Sequence, residues 1–536
     1  MPRYDYKPFE YKAPPGLSAK EPRHPVAIIG AGPIGLALAI DLALQGIKSV
    51  VLDDNNVVSI GSRAICWAKR TLEIFDRLGV GEQMLEKGVT WKVGRLFHGD
   101  EEIYNFDLLP EEGHKFPAFI NLQQYHVEQY LVERAQAFPD LIDLRFKNKV
   151  VDHTDNGEHV LLSIETPNGH YSLEADYVIA CDGAGSPTRK RMGLAFEGQT
   201  FEEHFLIVDV EMEESPFETE TAERWFWFEP AFHQGQSALL HKQPDNIYRI
   251  DLQLGFDTDP AEEVNDEKVQ PRIKAIVGEK PFKVDWKSVY KFRCARLENF
   301  VHNRVIFAGD SAHVVSPFGA RGGNGGIQDV DNLGWKLAAI VKGEAGSGLL
   351  ESYDQERSHA ADENIRNSSR ATNFMTPKSS IEHLFRSEVL HLAKDQTFAR
   401  KLINSGRLSV PCSLNGFALE TPSGEAVLQT GEAALDAPLK NGTSTDWLLN
   451  KTGGEFSLVS FGQKPKLGLN DIPHVNIASM CDAEPEDYAD ITGLAFKRYG
   501  KGLTYLFRPD QHVAAVFSNP SDDAVLAAKR KALGHD

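Results

Sequence analysis

Two glycine-rich stretches carry the residue types best suited to holding an anion. In VAIIGAGPIGLALAIDLAL (Val26 to Leu44), Gly30, Gly32 and Gly35 form a GxGxxG spacing around Pro33, and Asp53 ends the next apolar run. In VIFAGDSAHVVSPFGARGGNGGIQDVDNLGWKLAAI (Val305 to Ile340), Gly309-Asp310 is followed by Pro317, Gly319, Gly322, Gly323, Asn324, Gly325 and Gly326. Bare backbone at a helix start presents unpaired amides and the positive end of the helix dipole. Each stretch therefore suits a phosphate, or a negative charge that develops during a reaction. A glycine cluster taken alone equally suits a flexible turn.

The elements that must position these residues are legible on either side. Val26 to Ile29 read as a buried strand, Leu36 to Leu44 as the start of a helix, and Ser49 to Leu52 as a second strand ending at Asp53. In that order the glycines allow a tight turn, close approach of backbone to a pyrophosphate and close packing of helix on strand. The acid can then bind a ribose hydroxyl, which makes an ADP-binding unit. The short apolar run Val305 to Ala308 reads as a strand that ends at Gly309-Asp310, where ligands meet a parallel sheet. The following helix has an apolar face of Leu333, Leu337, Ala338 and Val341. ADP belongs to nicotinamide and flavin cofactors alike, so the first motif leaves that choice open.

Bulk properties narrow the class. A chain of 536 residues, 41% hydrophobic and 25% charged, predicts a globular protein of two or three domains. A net charge of −20 argues against nucleic acid or an anionic membrane as partner. Five scattered cysteines without CxxC pairing fit a reducing, cytoplasmic compartment. The first residues lack a signal-peptide core, and Gly-Ala-Gly-Pro with Asp41 argues against a membrane span over Val26 to Leu44. The 18 histidines show no HExxH or cysteine-histidine spacing, so no metal is expected.

A third segment, ADYVIACDGAGSPTRK, sets Asp182-Gly183 before Ser186 and Arg189 at another strand end. With the three motifs in this order, the chain resembles the group A FAD-dependent aromatic hydroxylases, the flavoprotein monooxygenases of the p-hydroxybenzoate hydroxylase and phenol hydroxylase type, over about Pro25 to Thr376. The resemblance implies FAD as cofactor, NADH or NADPH as co-substrate, and O2 and a phenolic small molecule as reactants. Oxygen would add to the reduced flavin at C4a, and the phenol would attack the hydroperoxide. Gly30, Gly32, Pro33, Gly35 and Asp53 would hold the ADP half, and Arg63 and Gln124 would lie beside the flavin. Asp182 would serve FAD and NAD(P)H together, and Asp310 would bind the ribityl chain. Pro317 would sit near the reactive face, and amides at Gly322, Gly323 and Asn324 would stabilise the reduced flavin.

Between the second and third motifs, alternating segments such as SALLHKQ and IYRIDLQ predict antiparallel strands. Leu239, His241 and Gln243 share one face by period two, and Arg249 lies on the face opposite Tyr248. The resemblance makes this a substrate sheet roofing the flavin, with His241 and Arg249 facing the substrate; an edge histidine is the competing reading. Trp225 and Trp227 suit either a pocket wall or plain core. Where the phenol hydroxylase branch has an acid near the substrate hydroxyl, this chain has Ile65.

The expected architecture is α/β. It comprises an arm (1–24), a Rossmann-like FAD-binding domain in two parts (25–190 and 301–393), an inserted antiparallel substrate sheet (191–300), and a C-terminal thioredoxin-like domain (394–536) without CxxC, in a chain that could form a homodimer. Two other functions stay open: an FAD-dependent reductase or dehydrogenase without oxygen insertion, and a non-catalytic carrier on the same fold.

Overall fold

The computed structural model describes residues 4–107, 112–217, 221–255, 258–403, 409–485 and 487–535. Its central sheet runs, in order, Val301–His302, Val305–Phe307, Gly169–Ala180, His24–Ile29, Ser49–Leu52 and Ile142–Arg145, and the last five of these are parallel. Both faces are covered, so strands such as Ser49–Leu52 and Val305–Phe307 are buried throughout and read as unbroken apolar runs. His24–Ile29 has its next strand on one side and Gly169–Ala180 on the other. The winding direction reverses there, which opens a crevice at the strand ends. The first helix is Pro33–Leu44, three residues earlier than the apolar run suggests, because proline at the first helical position loses no bond there.

Helix Pro33–Leu44 crosses the long helix Gly322–Val341 at two glycines. A Cβ on Gly326 would lie 2.6 Å from Ile34 Cδ1, and one on Gly334 would lie 1.8 Å from Asp41 Oδ2. The glycines thus let two buried helices approach closely, each starting at the crevice.

A second sheet of eight strands lies over the crevice, in the order His313–Val314, Lys283–Arg296, Glu197–Glu211, Ile247–Leu254, Ser237–Lys242, Glu223–Phe228, Val93–His98 and Glu101–Asp107. It draws a hairpin, Val93–His98 with Glu101–Asp107, and the short strand His313–Val314 from outside the 191–300 segment. Alternation sorts its side chains. Leu206, Val208, Val210, Leu240, Tyr248, Ile250 and Leu252 pack against Val269, Ile273 and Val277 of helix Asp266–Val277. Trp225 and Trp227 lie on that packed face, so they are core residues. Their neighbours Arg224, His241 and Arg249 look the other way, into a cavity.

The C-terminal unit is a seven-stranded mixed sheet. Its centre is thioredoxin-like: His474–Ser479 pairs parallel with Ser457–Phe461, which pairs antiparallel with Leu503–Phe507, and that strand with Val513–Phe517. The crossover between the two parallel strands, 462–473, contains no helix. All five cysteines are unpaired.

A buried ion network ties this unit to the central domain. Arg508 meets Glu356 at 2.8 Å and also pairs with Asp510. Lys336 meets Glu356 at 2.8 Å, and Arg70 meets Asp331 at 2.9 Å while donating to the Asp510 carbonyl. Burial alone would raise the Glu356 carboxyl, but Arg508 and Lys336 hold it down to about 2. Its folded pKa thus lies below the unfolded value near 4.5. The stability this group contributes is present above pH ~4.5 and is lost as pH falls toward 2. Glu356→Gln leaves Lys336 and Arg508 short of a countercharge in a buried site, and a loss of about 3–5 kcal/mol is expected. Thermal unfolding at pH 7 checks this; an unchanged midpoint would show that the network does not join the two units.

Candidate functional site

One cavity of about 1010 Å³ runs from the first glycine turn to the underside of the second sheet. Ligand pockets typically span roughly 300–1,000 Å³. This one has room for a long cofactor and a second guest.

At its first end the glycines do separate work. Gly30 has φ +106°, and a Cβ there would lie 2.6 Å from the Cys181 carbonyl oxygen. Gly35 packs helix on strand, with 2.0 Å from a built Cβ to the Gly30 carbonyl oxygen. A Cβ on Gly32 meets no protein atom within 4 Å, and the residue borders the cavity beside Pro33. Its missing side chain leaves space that only a guest would use. The Asp53 carboxylate accepts from the Ala31 amide at 2.6 Å and the Asn55 amide at 2.8 Å, which aims it along the turn.

Asp182 is committed to the fold. It accepts from Ser186 Oγ at 2.5 Å and the Thr188 amide at 3.0 Å, capping helix Pro187–Arg191. Arg189 in turn donates to the carbonyls of Ser311 and Ala184. The third motif therefore clamps two sheet-end turns together, and Asp182 with Gly183 reaches the cavity wall.

Arg63 borders the cavity on a loop held at every residue around it. Ser59 donates to Glu128 through its amide and hydroxyl, Gly61 donates its amide to Tyr6 Oη at 3.0 Å, and the Gln124 amide donates to Ser62 Oγ at 2.8 Å. The Gln124 side chain accepts from the Ala64 amide and donates to Glu128. Gln124 lines the cavity, and its side-chain bonds shape the Arg63 loop.

Further in, the Asp310 carboxylate opens onto the cavity and has no hydrogen-bond partner among the described residues. Burial raises it, against the pull of His313 and Arg63. Its surface is open to the cavity, so the carboxylate is free to accept from a guest. Pro317 borders the same space, and the turn Pro317–Ala320, with Ala320 at φ +52°, delivers the chain to helix Gly322–Val341. The first amides of that helix, at Gly322, Gly323 and Asn324, have no carbonyl one turn back within it, and these three residues line the cavity. The Asn324 side chain braces the fold: it accepts from the Ala68 amide at 2.9 Å and donates to the Cys66 and Ala320 carbonyls. Gly325 and Gly326 lie behind this rim, against Asn364, His313 and Ile34.

On the roof, Arg224 stands opposite His241 and His241 opposite Arg249 on three neighbouring strands, so they form one row across the sheet. Arg249 is paired with Asp209, Nε to Oδ1 and one terminal nitrogen to Oδ2, both at 2.8 Å, and also donates to the Ser62 carbonyl. It thereby ties the roof to the Arg63 loop. Among the described residues the His241 ring nitrogens have no hydrogen-bond partner; Nε2 stands 3.4 Å from Asp251 Oδ2. Burial and Arg224 push the imidazole down to about 4, against the pull of Asp251. Phe205, Phe292 and Phe318, with ring centroids 5.1–6.1 Å apart, line the apolar side together with Leu239 and Ile65.

Sequence reasoning missed Arg224, Asp251 and Asp209. The signal was present in ERWFWF, where period two puts Arg224 on the face opposite Trp225 and Trp227. Nothing local tells which face meets a cavity.

A glycine turn with open space at Gly32, the carboxylates of Asp53 and Asp310 and the first residues of a long helix at Gly322, Gly323 and Asn324 thus border one cavity. The family model described as FAD binding domain matches residues 23–368. The chain belongs to that family and binds FAD, in line with its resemblance to the group A hydroxylases. A flavin-dependent monooxygenase of Mycobacteroides abscessus is 28% identical over 519 residues, 92% of this chain and 96% of the relative. A 3-(3-hydroxy-phenyl)propionate/3-hydroxycinnamic acid hydroxylase of Mycolicibacterium gilvum is 28% identical over 460 residues, 83% and 79% of the two chains. Among solved structures, the flavin-dependent monooxygenase PieE in complex with FAD and substrate superposes with a TM-score of 0.79 at 20% identity, over 97% of this chain and all of that one. The p-nitrophenol 4-monooxygenase PnpA of Pseudomonas putida superposes with 0.63 at 26% identity, over 72% and 98%.

The glycines separate a folding role from a binding role. Gly32→Val has room in the protein and is expected to fold yet purify without yellow colour, whereas Gly35→Val is expected not to fold. Absorbance near 450 nm beside a far-ultraviolet circular dichroism spectrum reads both; FAD retained in Gly32→Val would remove Gly32 from the cofactor site.

Proposed function

We propose that this protein is an NAD(P)H- and O2-dependent flavoprotein monooxygenase that hydroxylates a phenolic compound in aromatic catabolism. The observation that carries the reading is the continuity of one cavity from Gly32 and Asp53, past Asp310, Pro317 and Gly322, to the polar row of His241 and Arg249. The activities named for the Mycobacteroides, Mycolicibacterium and Pseudomonas proteins support it. Bound FAD supplies acceptance of hydride from NAD(P)H and, with O2, transfer of an electrophilic oxygen atom to the ring.

The chain's own residues supply the rest. Gly30, Gly32 and Asp53 hold the ADP half, Asp310 the ribityl hydroxyls, and the amides of Gly322, Gly323 and Asn324 the electron-rich edge of the reduced ring system. Arg63, Gln124 and Pro317 shape the walls beside the ring. Phe205, Phe292 and Phe318 exclude water, which otherwise discharges the activated oxygen as hydrogen peroxide. His241, neutral above pH ~4, accepts a hydrogen bond from the phenol hydroxyl at a ring nitrogen, with Asp251 3.4 Å from Nε2. Electron density drawn onto the phenol oxygen in this way makes the ring a better attacker, a contact that Ile65 does not provide. Arg249, neutralised by Asp209, orients the substrate through its remaining donor face. The unpaired cysteines support a reducing location, which we take to be the cytoplasm. Among the described residues no helix is long and apolar enough to cross a membrane.

A reductase without oxygen insertion would use the same cofactor residues; incorporation of 18O from labelled O2 into an aromatic product separates the two, and an unlabelled product excludes the hydroxylase. A carrier would oxidise no NAD(P)H. His241→Asn is expected to keep its FAD while losing about a hundredfold in substrate-stimulated turnover, with hydrogen peroxide replacing product. In the wild type, the acidic limb assigned to His241 falls as pH drops through about 4. An unchanged product-to-NAD(P)H ratio in the variant would make His241 a structural residue.

A further inference from the structure

The roof row contains a cation that the reaction described above does not use. Arg224 is 5% exposed and lines the cavity. Its Nε has no hydrogen-bond partner among the described residues, and a terminal nitrogen donates to the Cys66 sulfur at 3.9 Å. Cys66 brings no countercharge: burial pushes its thiol up, and it donates to Asn121 Oδ1 at 3.2 Å. Trp91 and Phe226 lie 5.6 and 4.8 Å from the guanidinium carbon and fix the plane of the group without neutralising it. Several other buried arginines hold a carboxylate. Arg249 holds Asp209, Arg357 holds Asp329 at 2.7 Å, and Arg508 holds Glu356 and Asp510.

Of the nearby acids, Asp251 acts on Arg224 through its charge alone, with no ion pair between the two among the described residues. Asp209 is spent on Arg249, and Asp251 is nearest His241. A buried guanidinium without an anion is costly unless something supplies one. The planar fork matches a carboxylate through two parallel hydrogen bonds. The neighbouring walls are apolar or aromatic, at Ile65, Trp67, Leu239 and Phe292, so the anion must sit on a molecule with an aromatic or aliphatic body.

We propose that Arg224 is the anchor for a carboxylate carried by the aromatic substrate, which makes the substrate a hydroxyaryl carboxylic acid. This rests on the monooxygenase reading and adds to it the group that selects the substrate. Arg224 holds one end of the molecule, and His241, directly opposite on the next strand, meets the phenol. A phenolate is the other possible source of the anion, and the test separates the two.

Purified holoenzyme is titrated without NAD(P)H, following the perturbation of the flavin absorbance. The probes are 3-hydroxybenzoate, 3-hydroxyphenylacetate and 3-(3-hydroxyphenyl)propionate, each beside its uncharged amide, and 4-nitrophenol as a phenolate without a carboxylate. In the wild type at least one acid is expected to bind roughly 10- to 100-fold more tightly than its amide, the worth of a charged hydrogen-bonded pair. Arg224→Gln should abolish that preference while keeping its FAD, and Arg224→Lys should retain it in part. Equal binding of acids and amides by the wild type, tighter binding of 4-nitrophenol than of every acid, or an acid preference that survives in Arg224→Gln overturns the proposal. If Arg224→Gln fails to hold FAD, the wild-type pairs and Arg224→Lys decide it. Neutral phenols that are hydroxylated with no preference for an acid would sink the anchor and leave the monooxygenase standing. Acids that bind selectively but yield no oxygenated product would do the reverse.

Discussion

The molecule depends on the absence of side chains where two helices and a turn converge on Ile34. Gly309 meets Ile34 Cγ1 at 2.8 Å from a built Cβ, and Gly326 meets Ile34 Cδ1 at 2.6 Å. Two turns further along both helices, Gly334 meets Asp41. With these contacts the first and second halves of the cofactor domain lock in one register. Both helix starts, Pro33 and Gly322, and the carboxylate of Asp310 then border the same space. A single methyl group at this crossing would separate them, because packed interiors have no slack of that size.

The second sheet builds on this in a different way. Its alternation divides a dry face, filled by Val269, Ile273 and Val277, from a face that holds two arginines, a histidine and two aspartates over the cavity. Such groups are tolerated in a sheet only where partners or a guest satisfy them. Arg249 has its countercharge, Asp209, within the protein. The His241 ring nitrogens and Arg224 Nε have no hydrogen-bond partner among the described residues, and that difference between neighbours in one row marks where a ligand is most needed.

The cofactor half was legible in sequence because each of its parts has a local signature. GxGxxG with Asp53 and the glycine run before Leu333 are contiguous, and the backbone needs them for reasons a short window contains. Helix Pro33–Leu44 differs from the reading only at its start. The roof was half legible. Period two set His241 beside Leu239 and Gln243 and Arg249 opposite Tyr248, yet it could not pair Arg249 with Asp209, forty residues away, nor set Arg224 opposite His241. Asn324 and Gln124 show the other limit: the helix start pointed to the Asn324 amide and the resemblance to Gln124 beside the flavin, and neither indicated that their side chains also hold the Cys66–Ala68 strand and the Arg63 loop. The hairpin Val93–His98 with Glu101–Asp107 joins a sheet whose other long strands begin a hundred residues later, a pairing that no local pattern announces.

The interleaving of the two large sheets also sets an order of assembly. As the chain leaves the ribosome, the Gly30 turn forms early, but its neighbour Gly169–Ala180 follows more than a hundred residues later and Val305–Phe307 later still. All of the roof except His313–Val314 is synthesised between the Gly30 turn and Val305–Phe307. Neither the turn nor the roof can be completed until the helix after Gly322 docks on Ile34, so the nascent chain carries half-built sheet edges for most of its synthesis. Cofactor captured at that last docking binds the native state alone and draws the whole assembly toward completion by mass action.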